Sequence, residues 1–150
     1  MDPRIQHLLD TGRLIRQSAP DEQVAGLWRD GMGAYEFACS PDRPPGQRLI
    51  AVHDTARMAS LALLRAANLR ERAKGDRETT FTAAGFLGGD ELPELLGEIQ
   101  DLRSDHAISA EDVREVIPTV REILIRARDR IVALRPAVVS DLASIPETGS

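Results

Sequence analysis

The sequence has 150 residues, of which 42% are hydrophobic, 29% are charged and only 3% are aromatic. This length suits one domain that buries about two-thirds of its unfolded surface without disulfides, with a core made of Leu, Ile, Val and Ala. The single cysteine, Cys39, excludes an internal disulfide or a cysteine-based zinc site, and the net charge of −5 argues against a nucleic-acid footprint over the whole molecule.

The chain carries no sequence signal for a membrane. Residues 1–10 lack the charged start and the unbroken apolar run of a signal peptide, and no later segment approaches the roughly 20 apolar residues of a membrane span. We therefore expect a soluble, cytoplasmic protein with no membrane partner.

The first two predicted helices occupy the N-terminal third of the chain. Asp2 followed by Pro3 is a typical helix start, and this helix is expected to end near Gly12. Ser18 and Asp21 have the spacing of a capping box for a second helix. Its apolar positions recur at helical spacing: Val24, Leu27, Trp28, Met32 and Tyr35. The run SPDRPPG at 40–46 contains three prolines and predicts a loop.

The third segment has the strongest early pattern. Its apolar residues step by three and four: Leu49, Val52, Ala56, Ala59, Leu63 and Ala66. Because many are alanine, this helix is expected to lie close against a partner helix and to end at Gly75. Two shorter helices are predicted next, the first capped by Thr79 or Thr80 and the second by Asp90.

The last helix is the clearest in the sequence. Ser109 and Asp112 form a capping box, and apolar residues then alternate steps of four and three: Val113, Ile117, Val120, Leu124, Ala127, Ile131 and Leu134. Pro118 is expected to bend the helix near its first turns. Pro136 ends it, so we predict a helical domain at 1–136 and a loosely ordered tail at 137–150.

These patterns predict an all-α fold, an antiparallel bundle of four or five main helices. The interlocking stripes of the third and last segments indicate that these two helices form the central antiparallel pair. No alternating strand pattern, internal repeat or low-complexity block is evident.

Three segments of the sequence resemble a known family. They are IQHLLDTGRLIRQSAPDEQVAGLW at 5–28, IAVHDTARMASLALLRAANLRERA at 50–73 and ISAEDVREVIPTVREILIRARDRI at 108–131. In sequence and spacing they are similar to actinobacterial HEPN-like proteins, and the likeness runs from about Ile5 to Leu134. The resemblance implies an antiparallel bundle of four or five helices with a polar, RNA-cleaving motif just before the last long helix. In the family this motif is usually an arginine with a histidine four to six residues later, commonly completed by a second copy across a dimer.

The corresponding stretch here, EIQDLRSDHAISAEDV, departs from that motif. Arg103 and His106 are separated by only two residues, and the positions for an earlier arginine hold other residues: Ile99, Gln100 and Asp101. A related motif with arginine, asparagine and a closing acidic–tyrosine pair would end at Asp105 and His106. Its arginine and asparagine positions then hold Asp101 and Leu102, so either alignment leaves the motif incomplete.

Arg103, Asp105 and His106 are nevertheless the candidate catalytic residues. Metal-independent RNA cleavage needs one group to deprotonate the ribose 2′-hydroxyl, one to protonate the leaving oxygen and a cation near the phosphate, and histidine and arginine suit these roles. The alternative is that Asp105 and His106 are ordinary polar residues at a helix end, where histidine complements the helix dipole.

Other polar residues are candidates for supporting roles. His53 and Asp54 precede Arg57 by four and three residues on the third helix, which predicts a polar network; direct catalysis is the less common use of such residues. A basic cluster consists of Arg65, Arg70, Arg72 and Lys74, with Arg77 nearby. These side chains could contact RNA, or their apolar stems could cover the core. The histidines are scattered, so no metal or other cofactor is predicted.

The resemblance therefore implies a HEPN-like protein that acts on or binds RNA in a toxin–antitoxin or antiphage-defence setting. Such a protein could be a metal-independent ribonuclease and is expected to form a homodimer, with RNA or a cognate protein as its partner. The alternative is a non-enzymatic helical module for dimerisation or partner binding that has kept the fold and lost the site.

Overall fold

The computed structural model describes residues 2–102 and 107–146. Within these ranges the elements in chain order are α1 (Pro3–Asp10), β1 (Leu14–Arg16), α2 (Asp21–Ala38), α3 (Pro45–Ala66), β2 (Leu69–Glu71), α4 (Arg77–Gly88), α5 (Leu92–Gln100), α6 (Ala110–Leu134) and a 3-10 helix (Pro136–Asp141). The predicted all-α bundle is confirmed, with the addition of a small two-stranded sheet.

The predicted capping residues are found at the starts of α1 and α6, but not at those of α2, α4 and α5; α5 begins after Glu91 without the side-chain cap expected from Asp90. The Asp2 carboxylate accepts a hydrogen bond from the Arg4 backbone N–H at 2.8 Å. Hydrogen bonds from Arg4 hold the pKa of Asp2 at about 2. Ser109 and Asp112 form the predicted capping box of α6. By contrast, α2 begins after Pro20 without a side-chain cap, and α4 is capped by Asp76 instead of a threonine.

The α2–α3 pair is antiparallel and closely packed, as the alanine-rich stripe predicts. A Cβ atom added at Gly31 of α2 would lie 3.3 Å from the Cβ of Met58 on α3. Ala56 and Ala59 are fully buried in the same helix. Small side chains at this contact allow the two helix axes to approach each other closely.

The third and last long helices, α3 and α6, are neighbours but run in the same direction. Arg135, which ends α6, donates hydrogen bonds to the carbonyls of Arg65 and Ala66, which end α3. Toward the other end of α3, Arg48 hydrogen-bonds the last residue of α2, and Arg121 of α6 approaches the same turn of α2. The expectation that α3 and α6 are antiparallel is therefore wrong, because hydrophobic periodicity reveals a buried face but not its direction.

The sequence prediction missed the sheet. α3 ends at Ala66, well before Gly75, and Asn68 turns the chain with a φ of 58°. Strand β2 then pairs antiparallel with β1, with Leu14 opposite Glu71 and Arg16 opposite Leu69. The strands are three residues long and rich in arginine, so they carry no alternation long enough to be recognised.

The chain after α6 returns to the bundle. Val138 is fully buried and Leu142 is nearly so. The indole N–H of Trp28 on α2 donates a hydrogen bond to the carbonyl of Ala143 at 2.9 Å. The expected loose tail is therefore corrected for residues 137–146, which apolar anchors and a buried indole hold in place.

The core is built mainly from aliphatic residues, as the composition predicts, and contains Trp28 and Tyr35 at 0% and 1% exposure. Burial raises the pKa of the Tyr35 hydroxyl and that of the neighbouring Cys39 thiol. Among the helices that the structure describes, none combines the length and apolar character needed to cross a membrane.

Arg135 joins three segments of the chain through its guanidinium. Its acceptors, all between 2.7 and 3.0 Å away, are the carbonyls of Ala19, Arg65 and Ala66 and the side chains of Asp21 and Asn68. The side chain is only 14% exposed. It therefore joins the end of α6 to the end of α3 and gives the terminal carbonyl of Ala66 a hydrogen-bond partner.

We expect Arg135→Ala to lower the free energy of unfolding by about 3 kcal/mol, because several charge-assisted hydrogen bonds are lost together. Arg135→Lys should recover only part of this loss, since an ammonium group has fewer N–H donors than a guanidinium and cannot bond all five acceptors. Urea unfolding followed by circular dichroism measures both changes. Arg114→Ala is the control, because Arg114 is exposed on the same helix; an Arg135 variant as stable as this control would contradict the assignment.

Candidate functional site

An open cleft lies where α3, α4 and α5 meet, with a volume of about 440 Å³. Its lining residues are Ile50, His53, Asp54, Arg77, Phe81, Gln100 and Leu102. His53 and Asp54 follow Ile50 by three and four residues, so these three residues lie on one face of α3. The cleft therefore combines an imidazole, a carboxylate, a guanidinium and a carboxamide on a partly apolar floor.

The candidate catalytic residues follow this cleft directly in the sequence. Arg103, Asp105 and His106 lie outside the described residues, and Leu102, at the cleft, is the last residue before them. On the far side, the capping box fixes the start of α6: the Ser109 N–H donates to Asp112 at 2.8 Å and the Asp112 N–H donates to the Ser109 hydroxyl at 3.1 Å. In the sequence, the segment 103–106 therefore follows a residue of the cleft and precedes the capped start of α6.

The structure brings together two members of the predicted polar network. His53 and Asp54 both line the cleft, whereas Arg57, half-buried on α3, is not part of its lining. Within the described residues, no ion pair joins Asp54 to Arg57. Besides lining the cleft, Asp54 borders an apolar groove between α2 and α3, beside Phe37 and Ile50.

The predicted basic cluster is divided by the fold. Arg65 is 9% exposed and forms an ion pair with Glu71 at 3.1 Å, so it belongs to the interior. Arg70 is half-buried on β2, and Arg72 and Lys74 are exposed beyond that strand. Only the last three therefore share a surface that a ligand can reach.

Two polar residues of the cleft were not predicted to lie beside His53: Arg77, which the sequence places near the basic cluster, and Gln100. Arg77 is the first residue of α4, after the N-cap Asp76, whose pKa is lowered by hydrogen bonds from Thr79. Gln100 is the last residue of α5. Each belongs to a different short helix, so no spacing in the sequence connects them with His53; only the packing of α4 and α5 on α3 does.

The described residues offer groups for proton transfer and for binding an anion, but no metal centre. Histidine ordinarily titrates near neutral pH and can accept or donate a proton, and arginine stays charged beside a phosphate. Residues 2–102 and 107–146 contain no group of three His, Cys, Asp or Glu side chains placed to hold a metal ion. Comparisons with protein-family models, curated proteins and solved structures find no match to this chain.

Proposed function

We propose that this chain is a HEPN-like protein that binds and cleaves single-stranded RNA without a metal ion, in a toxin–antitoxin or antiphage-defence setting. One observation supports this proposal more than any other. The cleft with His53, Asp54, Arg77 and Gln100 ends at Leu102, immediately before Arg103–His106. The cleft thus includes the residue that directly precedes, in the sequence, the segment that the resemblance associates with RNA cleavage.

The proposed chemistry needs only side chains of this region. The ribose 2′-oxygen loses its proton to a base and attacks the adjacent phosphorus, while the 5′-oxygen leaves with a proton from an acid. We assign proton transfer to His106, stabilisation of the phosphate charge to Arg103 and orientation of the imidazole to Asp105. The products are a 2′,3′-cyclic phosphate and a 5′-hydroxyl.

The test is incubation of the purified protein with single-stranded RNA in the presence of a chelator. We expect cleavage that the chelator does not inhibit, with cyclic phosphate ends detected by mass spectrometry. A matched strand with 2′-deoxyribose at each position should stay intact, because it lacks the attacking oxygen. Cleavage that requires an added divalent cation would contradict the proposed mechanism.

A second function is favoured by the apolar groove between α2 and α3. The groove is lined by Gly33, Ala34, Phe37, Ile50 and Ala51 together with two polar residues, and Ile50 is 62% exposed. Contiguous apolar surface, more than a single exposed side chain, often marks a protein interface, so this groove suits a homodimer or a cognate protein. A protein that leaves RNA intact in the same assay but associates in light scattering would be such a non-enzymatic module.

A further inference from the structure

The outer face of the two-stranded sheet carries several cationic side chains. Its backbone ladder extends beyond the strands, because the Arg72 N–H donates to the Arg13 carbonyl at 2.9 Å. Ile15 is opposite Arg70 in the same register. Since side chains alternate between the two faces of a strand, Arg13 and Ile15 share one face with Arg70 and Arg72. We call Arg13, Arg70, Arg72 and the adjacent Lys74 the basic sheet face.

The acidic residues near this face include Asp76, whose pKa is lowered by hydrogen bonds from Thr79 and by the charge of Arg13. Glu71 is on the opposite side of β2, buried and paired with Arg65. Glu78 approaches Arg13 only to 3.9 Å and is 80% exposed. Within residues 2–102 and 107–146, no ion pair reaches Arg72 or Lys74. A positive patch therefore stands on a chain whose net charge is −5.

One atom of this patch also has an unfilled hydrogen-bonding position. The Nε of Arg70 is buried and finds no acceptor among the described residues. A buried N–H of this kind costs free energy unless an acceptor is supplied. Because this Nε is shielded from solvent, an anion on the basic sheet face would be bound by the terminal nitrogens of the Arg70 guanidinium and not by Nε.

We infer that the basic sheet face binds the phosphodiester backbone of single-stranded RNA and leads the strand to the cleft, an inference that rests on the proposed function. Arg77 provides the link, because it lines the cleft and follows Lys74 by three residues. No aromatic side chain belongs to the face, so it offers no platform on which bases stack. Binding there should consequently be independent of base sequence.

This mode of binding makes a quantitative prediction about salt. Each phosphate neutralised on a single strand contributes about 0.7 to the slope of log affinity against log salt concentration, so four cations predict a slope of about −3. Replacing Arg72 and Lys74 together by alanine should reduce the magnitude of the slope by about 1.4. The reduction should be the same for RNAs of unrelated sequence.

The measurement is fluorescence anisotropy of labelled single-stranded RNA at several salt concentrations. All proteins carry His106→Ala so that the RNA is not cut. Arg29→Ala with Arg43→Ala is the matched control, because it removes the same charge from two exposed residues outside the sheet. This control should leave the slope unchanged. A DNA strand of the same sequence should show the same slope as RNA, since the contacts are to phosphate.

The outcomes separate this inference from the proposed function. RNA cleavage by the unmodified protein together with an unchanged slope in the Arg72 and Lys74 variant would overturn the sheet assignment and keep the proposed function. The predicted loss of slope without cleavage would support the sheet assignment and count against catalysis. An equal loss in the Arg29 and Arg43 control, or no RNA complex at low salt, would also overturn the inference.

Discussion

Replacing His106 with alanine is expected to abolish detectable RNA cleavage while the helical fold remains. Loss of one proton-transfer group typically lowers a rate by about a hundred- to ten-thousand-fold. The fold should persist because the bundle core is assembled from other segments, including the fully buried Leu63, Leu64 and Leu124. The measurement is the rate of cleavage of single-stranded RNA with a chelator present, beside a circular-dichroism spectrum of the same sample.

The other two histidines give graded controls for this experiment. His7 is exposed on α1, so His7→Ala should leave the rate unchanged. His53 lines the cleft, so His53→Ala should lower the rate by a smaller factor than His106→Ala. Cleavage that survives His106→Ala would exclude the site at Arg103, Asp105 and His106, and the all-α fold would stand regardless.

Much of the helical architecture could be predicted because its causes are local. The capping box of Ser109 and Asp112 fixes the start of α6, and the three–four stripe of α3 marks the buried face of that helix. The alanines of α3 also predict close packing, which is confirmed at Gly31, where an added Cβ would lie 3.3 Å from the Cβ of Met58. Each of these features depends on residues within a few turns of one another.

The sheet and the direction of α6 depend on contacts between distant segments. The left-handed Asn68 turns the chain after α3, and its carbonyl accepts a hydrogen bond from Gln17 at 3.0 Å. Nothing in the local sequence pairs those two residues. The same sheet moves Arg65 into the interior, because β2 places Glu71 beside it, so a cluster that looks uniformly basic in the sequence is divided in the structure.

The candidate site was predictable only in part for a similar reason. His53 and Asp54 are adjacent in the sequence and reach the cleft together. Arg77 and Gln100 come from two other helices, and their approach to His53 requires the packing of the whole bundle. Residues that share a helix face are therefore recognisable from spacing, whereas residues that meet across elements are not.

Replacing Glu71 with alanine should produce the largest loss of stability, because it leaves a buried guanidinium without its counter-charge. Glu71 is 4% exposed and accepts hydrogen bonds from Arg65 at 3.1 Å and from Thr80 at 3.3 Å. Arg65 itself is held by the carbonyl of Leu69 at 3.0 Å. Removing one partner of a buried pair typically costs about 3–5 kcal/mol. Urea unfolding would measure this loss as a lower midpoint.

A second variant decides whether the charge is the cause. Arg65→Met combined with Glu71→Leu removes both charges and fills a similar volume. Replacing both ions of a buried pair by apolar groups is often neutral, so this double variant should be more stable than Glu71→Ala alone. Glu71→Gln keeps the shape of the side chain and one acceptor, so its stability should lie between that of Glu71→Ala and that of the double variant. Glu111→Ala breaks the exposed pair with Arg114 and should change little. If the double variant unfolded as readily as Glu71→Ala, the loss would come from packing at β2 and not from the unpaired charge of Arg65.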